Sequence, residues 1–306
     1  MTDANLEEAV APFHCGRVAI VGRPNVGKST LLNLLVKFKL SAVSPRPQTT
    51  RHKVLGILTG PGYQVVFLDT PGVPQRTGHE LDRLLGSRAR EAMQEADLVV
   101  LLVEPRFPGG VERRLVSELR QLDRPVFLAI NKIDLVSKPE LLPVMEAYAR
   151  LYPFLDIVPV SALKSDGLDV LLDPLVQRLP EGPPMFSEDE VTDRPERFLA
   201  GEIIRGLVFN TYREEVPYCV AVEIDTFREA SAEHGVKDHI SVVLWVEKES
   251  QKGLLIGRGG ERLKAVGAQA RQEIEALLER PVFLELWVKA YPNWRKDAAF
   301  LQRVGY

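Results

Sequence analysis

From Arg17 to about Leu179, short apolar runs rich in β-branched residues alternate with longer stretches of helical spacing. That alternation predicts a parallel sheet layered with helices. The runs are "RVAIV", "YQVVFL", "LVVLLV", "PVFLAI" and "DIVPV". One pair breaks the rule. In "VLGILTGPGYQVVFL" the turn signal "GPG" joins two strand-like segments directly, which predicts an antiparallel hairpin at the sheet edge and therefore a mixed, mostly parallel sheet.

Beyond this region the pattern changes. "LPEGPPMFSEDEVTDRPE" is rich in proline and acid and poor in apolar periodicity, so residues 181–196 read as a linker between a first domain over 13–180 and a second over 197–306. In the second, "RFLAGEIIRGLVFN" has helical spacing and "YCVAVEIDTF" and "HISVVLWVEK" alternate like strands. A short helix, a glycine turn, the helical "ERLKAVGAQARQEIEALLER" and the strand-like "VFLELWVKAY" complete an α+β order. A length of 306 residues also exceeds what one core of the commonest size encloses.

Composition changes this picture little. Hydrophobic residues make up 45%, charged residues 26%, and the formal charge is −3, so any site for a polyanion must be local. Cys15 and Cys219 lie far apart without metal-ligand spacing and read as structural thiols of a reducing compartment. The acidic start "MTDANLEEAVAPF" lacks signal-peptide order and "LVVLLV" is too short to span a bilayer, so a cytoplasmic protein is expected.

The chemistry begins at Gly22-Arg23-Pro24-Asn25-Val26-Gly27-Lys28-Ser29, which fits G-x-x-x-x-G-K-[ST] between a strand and a helix. Such a match arises by chance in roughly one chain in a hundred of this size. Backbone from Asn25 through Val26, Gly27, Lys28, Ser29 and Thr30 is expected to wrap phosphates, Lys28 to neutralise their charge, and the Ser29 hydroxyl to ligate magnesium. "NKID", Asn131 to Asp134, follows the strand "PVFLAI". The Asp134 carboxylate only accepts hydrogen bonds, and guanine offers it adjacent donors that adenine lacks, so the triphosphate is GTP. Asn131 would support the loop, and Lys132 would lay its stem along the purine. "DTPG" places Asp69 at the metal shell and the Gly72 amide at the γ-phosphate. In "SPRPQTTRH" Thr49 or Thr50 could cap the metal; Thr50 is preferred, with plain turn chemistry as the alternative. Val73 stands where many small GTPases carry a water-orienting glutamine.

A second glycine turn, Gly257-Arg258-Gly259-Gly260, fits G-x-x-G, a weak pattern alone. It joins a following helix and a stripe that includes Lys248, Lys252, Arg262, Lys264 and Arg271, in an element order that resembles a type II KH domain; that resemblance implies a clamp for about four nucleotides of an RNA backbone, a plain helix–helix turn being the alternative. Apolar "LLI" and "LKAV" flank it as groove lining or as core. The tail residues Trp294 and Tyr306, with Arg295, Lys296 and Arg303, are expected to stack and pair with RNA, covering of the sheet being the alternative.

In this order the motifs resemble the translation-factor-related GTPases, and the whole chain after its first dozen residues is similar to the Era-type GTPases. The resemblance implies a P-loop GTPase domain followed by a type II KH domain. It also implies that Ser161, Ala162 and Leu163 contact the guanine carbonyl through their backbone, that "PQTTRH" is switch one and that "DTPGVPQRTG" opens switch two. The implied ligands are GTP/GDP and Mg2+, with K+ held through Asn25. The implied partners are the 3′ end of 16S ribosomal RNA and the small ribosomal subunit, for a monomer with peripheral inner-membrane association. Two other classes stay open: an RNA-binding chaperone with a vestigial nucleotide site, and a metabolic phosphotransferase, for which no acceptor pocket is legible.

Overall fold

The computed structural model describes residues 12–44, 46, 51–52, 54–72, 80–231 and 236–305. The first half runs β1 (His14–Val21), α1 (Lys28–Leu35), β2 (Val54–Gly60), β3 (Tyr63–Asp69), α2 (Glu80–Glu95), β4 (Leu98–Val103), α3 (Gly110–Leu119), β5 (Val126–Ile130), α4 (Lys138–Leu151), β6 (Ile157–Pro159) and α5 (Leu168–Arg178). Its six-stranded sheet has the order β2-β3-β1-β4-β5-β6. Only the β2–β3 pair is antiparallel, with Gly60 opposite Tyr63 across the "GPG" turn. The edge hairpin and mixed sheet expected from that turn are therefore present. Strands such as β4, buried along its whole length, are apolar on both faces because helices cover both. Leu31, Leu32, Leu171 and Leu175 of α1 and α5 pack on one side. Met93, Leu115, Val144 and Tyr148 of α2, α3 and α4 pack on the other.

All the carboxyl ends of the parallel strands point one way, so the loops after β1, β3, β5 and β6 gather at one edge of the sheet. Ligands of open α/β sheets bind at that edge.

The second half runs α6 (Glu196–Thr211), β7 (Ala221–Arg228), β8 (Asp238–Val246), α7 (Glu249–Ile256), α8 (Glu261–Leu278), β9 (Val282–Ala290) and α9 (Ala298–Arg303). Its sheet, β7-β8-β9, pairs β7 and β8 antiparallel and β8 and β9 parallel. Ile204 and Val208 of α6, Leu255 of α7 and Val266, Ala270 and Ile274 of α8 bury against Ile240, Val242 and Leu244. This is the α+β order read from the sequence, in the arrangement of a type II KH domain.

Residues 180–195 form no helix or named strand but lie along the first sheet: the Ile57 amide donates to the Val191 carbonyl at 2.9 Å, and the Thr192 hydroxyl to the Leu55 carbonyl at 2.6 Å. The halves meet over a wide polar and apolar front. Arg51, fully buried, donates to the carbonyls of Val220 (2.8 Å), Tyr218 (3.2 Å) and Pro217 (3.3 Å). Its guanidinium lies against the Phe209 and Trp294 rings. Leu81 and Leu85 of α2 share a small core with Trp294, Phe300 and Leu301.

Candidate functional site

The loop after β1 closes on itself through glycine. Gly27 adopts φ +103°, and a Cβ there would sit 2.2 Å from Asn131 Nδ2, so no larger residue fits without moving the asparagine. Asn131, at the end of β5, donates to the Val26 carbonyl (2.7 Å) and accepts from the Ala162 amide (2.9 Å). One buried amide thereby joins the phosphate loop to the loop after β6. Lys28 is buried at the start of α1, where Nζ donates to the Arg23 carbonyl (2.9 Å) and the Gly22 carbonyl (3.3 Å). Burial pulls its ammonium pKa down to about 8 against the attraction of Asp69. An anion beside it would raise that pKa again.

Asp69 ends β3 with no exposed surface. Its Oδ2 accepts from the Ser29 hydroxyl (2.8 Å) and from the Ser41 hydroxyl (3.0 Å), while the buried Oδ1 has no hydrogen-bond partner. Burial raises the carboxyl pKa, and Lys28 and the two hydroxyls oppose that rise. A buried oxygen left open beside a serine hydroxyl is a hard donor set that suits magnesium. Among the described residues no group of three or more His, Cys, Asp or Glu side chains converges, so phosphate and water oxygens would complete the shell. Gly72 packs so closely on the phosphate loop that a Cβ would meet the Pro24 nitrogen at 2.5 Å. Thr50, like Thr49 and Val73, lies outside the described residues.

At the other end of the site, Asp134 accepts from the Ser161 hydroxyl at 2.5 Å, and this bond first of all holds its carboxyl pKa low. Lys132 sits in a left-handed turn (φ +65°) with its ammonium paired to Glu104, which also pairs with Arg106 at 2.6 Å. A cavity of about 290 Å³ joins these groups, lined by Asn25, Gly27, Lys28, Ser29, Thr30, Gly72, Asn131, Lys132, Asp134, Ala162 and Leu163. Val26 and Ser161 stand behind this lining and hold Asn131 and Asp134 in place. Ser41 and Glu104 were not legible as site residues, because each acts through a contact 28 positions away, and Asn33 because no motif marks its bonds to the neighbouring Leu40 and Ser41.

The second glycine turn sits between α7 and α8. Gly257, Gly259 and Gly260 have φ of +74°, +61° and +81°, and a Cβ on Gly259 or Gly260 would meet no atom within 4 Å. Their backbone shape requires glycine; the space around Gly259 and Gly260 is open, whereas a Cβ on Gly257 would meet the Arg262 side chain at 2.8 Å. Arg258, Arg262 and Lys264 are exposed, and Lys252 is half-buried, 3.9 Å from Glu249. Behind the turn a groove of about 420 Å³ is lined by Gly260, Leu263, Lys264, Gly267, Ala268, Arg271, Leu284 and Leu286. Gly267 is small because Leu286 lies 3.3 Å from where its Cβ would be. Of the flanking apolar residues, Leu263 lines the groove, whereas Leu255 and Val266 belong to the core.

The tail corrects the sequence reading. Trp294 is fully buried and donates its indole N–H to the Cys219 carbonyl at 3.0 Å, so it packs the interface with α2 and cannot stack on RNA. Arg295 pairs with Glu247, and Arg303 pairs with Glu223 at 3.4 Å over the Trp245 and Phe300 rings. Tyr306 lies outside the described residues.

Known proteins place this geometry. A model described as "50S ribosome-binding GTPase" matches residues 17–132, and a KH-domain model matches residues 215–295. GTPase Era of Geobacter metallireducens is 47% identical over 296 residues, covering 96% of this chain and 98% of its own. GTPase Era of Xylella fastidiosa is 46% identical over the same length and shares. A crystal structure of Era in complex with MgGDPNP and nucleotides 1506–1542 of 16S ribosomal RNA superimposes with a TM-score of 0.93 at 39% identity, over 96% of this chain and 99% of that one. A single-substitution variant of Aquifex aeolicus Era bound to GDP·AlF4− gives 0.92 at the same identity and coverage. With relatives this similar over nearly its whole length, the chain belongs to the Era family of GTPases.

Proposed function

We propose that this chain is a GTP-hydrolysing switch that binds the 3′ end of 16S ribosomal RNA and assists maturation of the small ribosomal subunit. The observation that carries this reading is the presence, in one chain, of a cavity with the buried Lys28 at one end and Asp134 at the other, and a second groove behind the Gly257–Gly260 turn. The Era structure similar to it over both halves was solved with MgGDPNP and that RNA together.

Each residue then has a task. The ionised Asp134 accepts the guanine ring N–H and amino hydrogens; adenine would leave it unpaired. Lys132, tethered by Glu104, lies along the base. Backbone of the loop from Asn25 to Thr30 surrounds the phosphates, and Lys28 exchanges its two carbonyl partners for phosphate oxygens. Ser29 and Asp69 would hold magnesium, with Thr50 from switch one, and the ion when bound neutralises charge developing on the β- and γ-phosphates. The Gly72 amide meets the γ-phosphate. Since Val73 neither donates nor accepts, Asn25 would hold a potassium ion, which when bound would supply positive charge that an arginine finger brings elsewhere. Equal single-turnover rates in potassium and in sodium would remove that last assignment.

On the RNA side, Gly257, Arg258, Gly259 and Gly260 clamp the backbone, and Lys252, Arg262 and Lys264 add charge along it. We infer a monomer working in the cytoplasm; among the described residues no helix is long and apolar enough to cross a membrane, and peripheral membrane contact has only the family resemblance behind it. Competition settles the nucleotide: labelled GTP should be displaced by GDP and not by ATP, and displacement by ATP would refute the guanine assignment.

A further inference from the structure

Residues 39–43 form a strap between the metal-site carboxylate and the second domain. Its middle residue, Ser41, is 1% exposed and donates its hydroxyl to Asp69 Oδ2 at 3.0 Å. From the side of the first domain, Asn33 of α1 grips the strap three times: Oδ1 accepts from the amides of Leu40 and Ser41 (3.0 Å each), and Nδ2 donates to the Ser41 carbonyl (2.9 Å). From the side of the second domain, α6 and α8 press on it. A Cβ on Gly206 would lie 3.1 Å from Ala42 Cβ, Asn210 donates to the Val43 carbonyl at 3.2 Å, and Lys39 pairs with Glu273 at 2.6 Å.

The chemistry follows from which oxygen is occupied. A carboxylate tethered by Ser29 alone keeps freedom to rotate about its terminal torsion. A second hydroxyl on the same Oδ2 fixes that torsion and leaves Oδ1, buried and without a partner, as the oxygen presented to a metal. Groups that orient a metal's ligand from behind typically tune its affinity by roughly 10- to 100-fold.

We propose that Ser41 is a positioning residue for Asp69 and the link through which docking of the KH domain on α1's neighbouring strap sets magnesium affinity. This rests on the nucleotide-switch reading above and adds to it a route between the two sites. The KH domain, by bearing on Ala42 through Gly206, holds the Ser41 hydroxyl against the carboxylate. Displacing it releases Asp69 and weakens the metal shell while leaving the guanine end untouched.

The test is magnesium-dependent retention of a fluorescent GDP analogue by the full chain, read as dissociation rate against magnesium concentration. Ser41→Ala should raise the half-saturating magnesium concentration about tenfold, with an unchanged dissociation rate in EDTA, which separates a metal effect from general loosening of the site. Gly206→Val, in the other domain, should shift the magnesium requirement in the same direction, and its effect should vanish in the Ser41→Ala background. Should the valine prevent folding, Lys39→Ala combined with Asn210→Ala loosens the same strap without adding bulk and should act alike. An unaltered magnesium requirement in Ser41→Ala, or in both strap variants, overturns the proposal; so does a strap effect that persists undiminished without the Ser41 hydroxyl. Wild-type protein that holds GDP equally well with and without magnesium would remove both the proposal and the switch reading beneath it.

Discussion

The two glycine turns of this molecule look alike in sequence and differ in what surrounds them. At Gly27 a side chain would collide with Asn131 Nδ2 at 2.2 Å, and the neighbouring Lys28 is buried. At Gly259 and Gly260 a side chain would enter open space, and the neighbouring Arg258 is exposed. The first turn is packed from behind by Asn131, which also donates to the Val26 carbonyl. At Gly259 and Gly260 the second is shaped by its backbone angles, and its outer side is open. Glycine thus answers a packing demand in one place and a conformational demand in the other.

Four experiments sharpen or break this contrast. The largest effect is expected at the nucleotide site, where Asp134→Ala should lower GTP affinity on the order of 10⁴-fold by deleting the acceptor for two guanine donors. Calorimetric titration with GTP, and with RNA as the control ligand, measures it; RNA affinity should not change. At the open site, Arg258→Asp with Gly259→Asp should weaken RNA binding roughly 100-fold through lost charge-assisted contacts and added repulsion, with GTP affinity intact. Undiminished RNA affinity would contradict the clamp.

The glycines themselves can be compared directly. Gly27→Ala adds a steric clash to a left-handed backbone and should cost about 3 kcal/mol in denaturant unfolding together with most nucleotide affinity. Gly260→Ala meets only the backbone penalty, about 1 kcal/mol.

Where the two halves meet, pH is the probe, and its effect lies between those two. Burial pushes the His52 pKa down from 6.5 to about 4, with Glu202 at 3.7 Å opposing the shift and Arg205 and Arg88 adding to it. Between those values the unfolded chain binds the proton that the folded chain excludes, so stability falls as pH drops through this window. At pH 5 the loss should be about 2 kcal/mol relative to pH 7. His52→Gln should flatten that slope in pH-dependent melts, and an unchanged slope would show that another group is responsible.

Local signals were enough for much of this molecule. "GRPNVGKST" between strand and helix, "NKID" after an apolar run and "GPG" inside a hairpin are each short-range patterns whose chemistry depends on neighbours in sequence. The groove behind the second turn was half legible: Leu263 and Lys264 adjoin the loop, whereas Leu284 and Leu286 reach it only through the parallel pairing of β9 with β8. Ser41 was invisible because its partner Asp69 is 28 positions away, and Asn33 looks like any polar residue on a helix. Trp294 misled for a related reason. Amid arginine and lysine it has the composition of an RNA platform, but its burial is decided by α2, from the far side of the chain. Long-range packing overrides local composition at such positions.

The central claim is that the two turns hold two different ligands at once. Titrating GDP–Mg-saturated full-length protein with an oligonucleotide of the 16S 3′ end, while following release of a fluorescent GDP analogue, tests it directly. The account predicts one RNA bound per chain with the nucleotide still in place. RNA that expels the nucleotide, or that fails to bind at low salt, would contradict it.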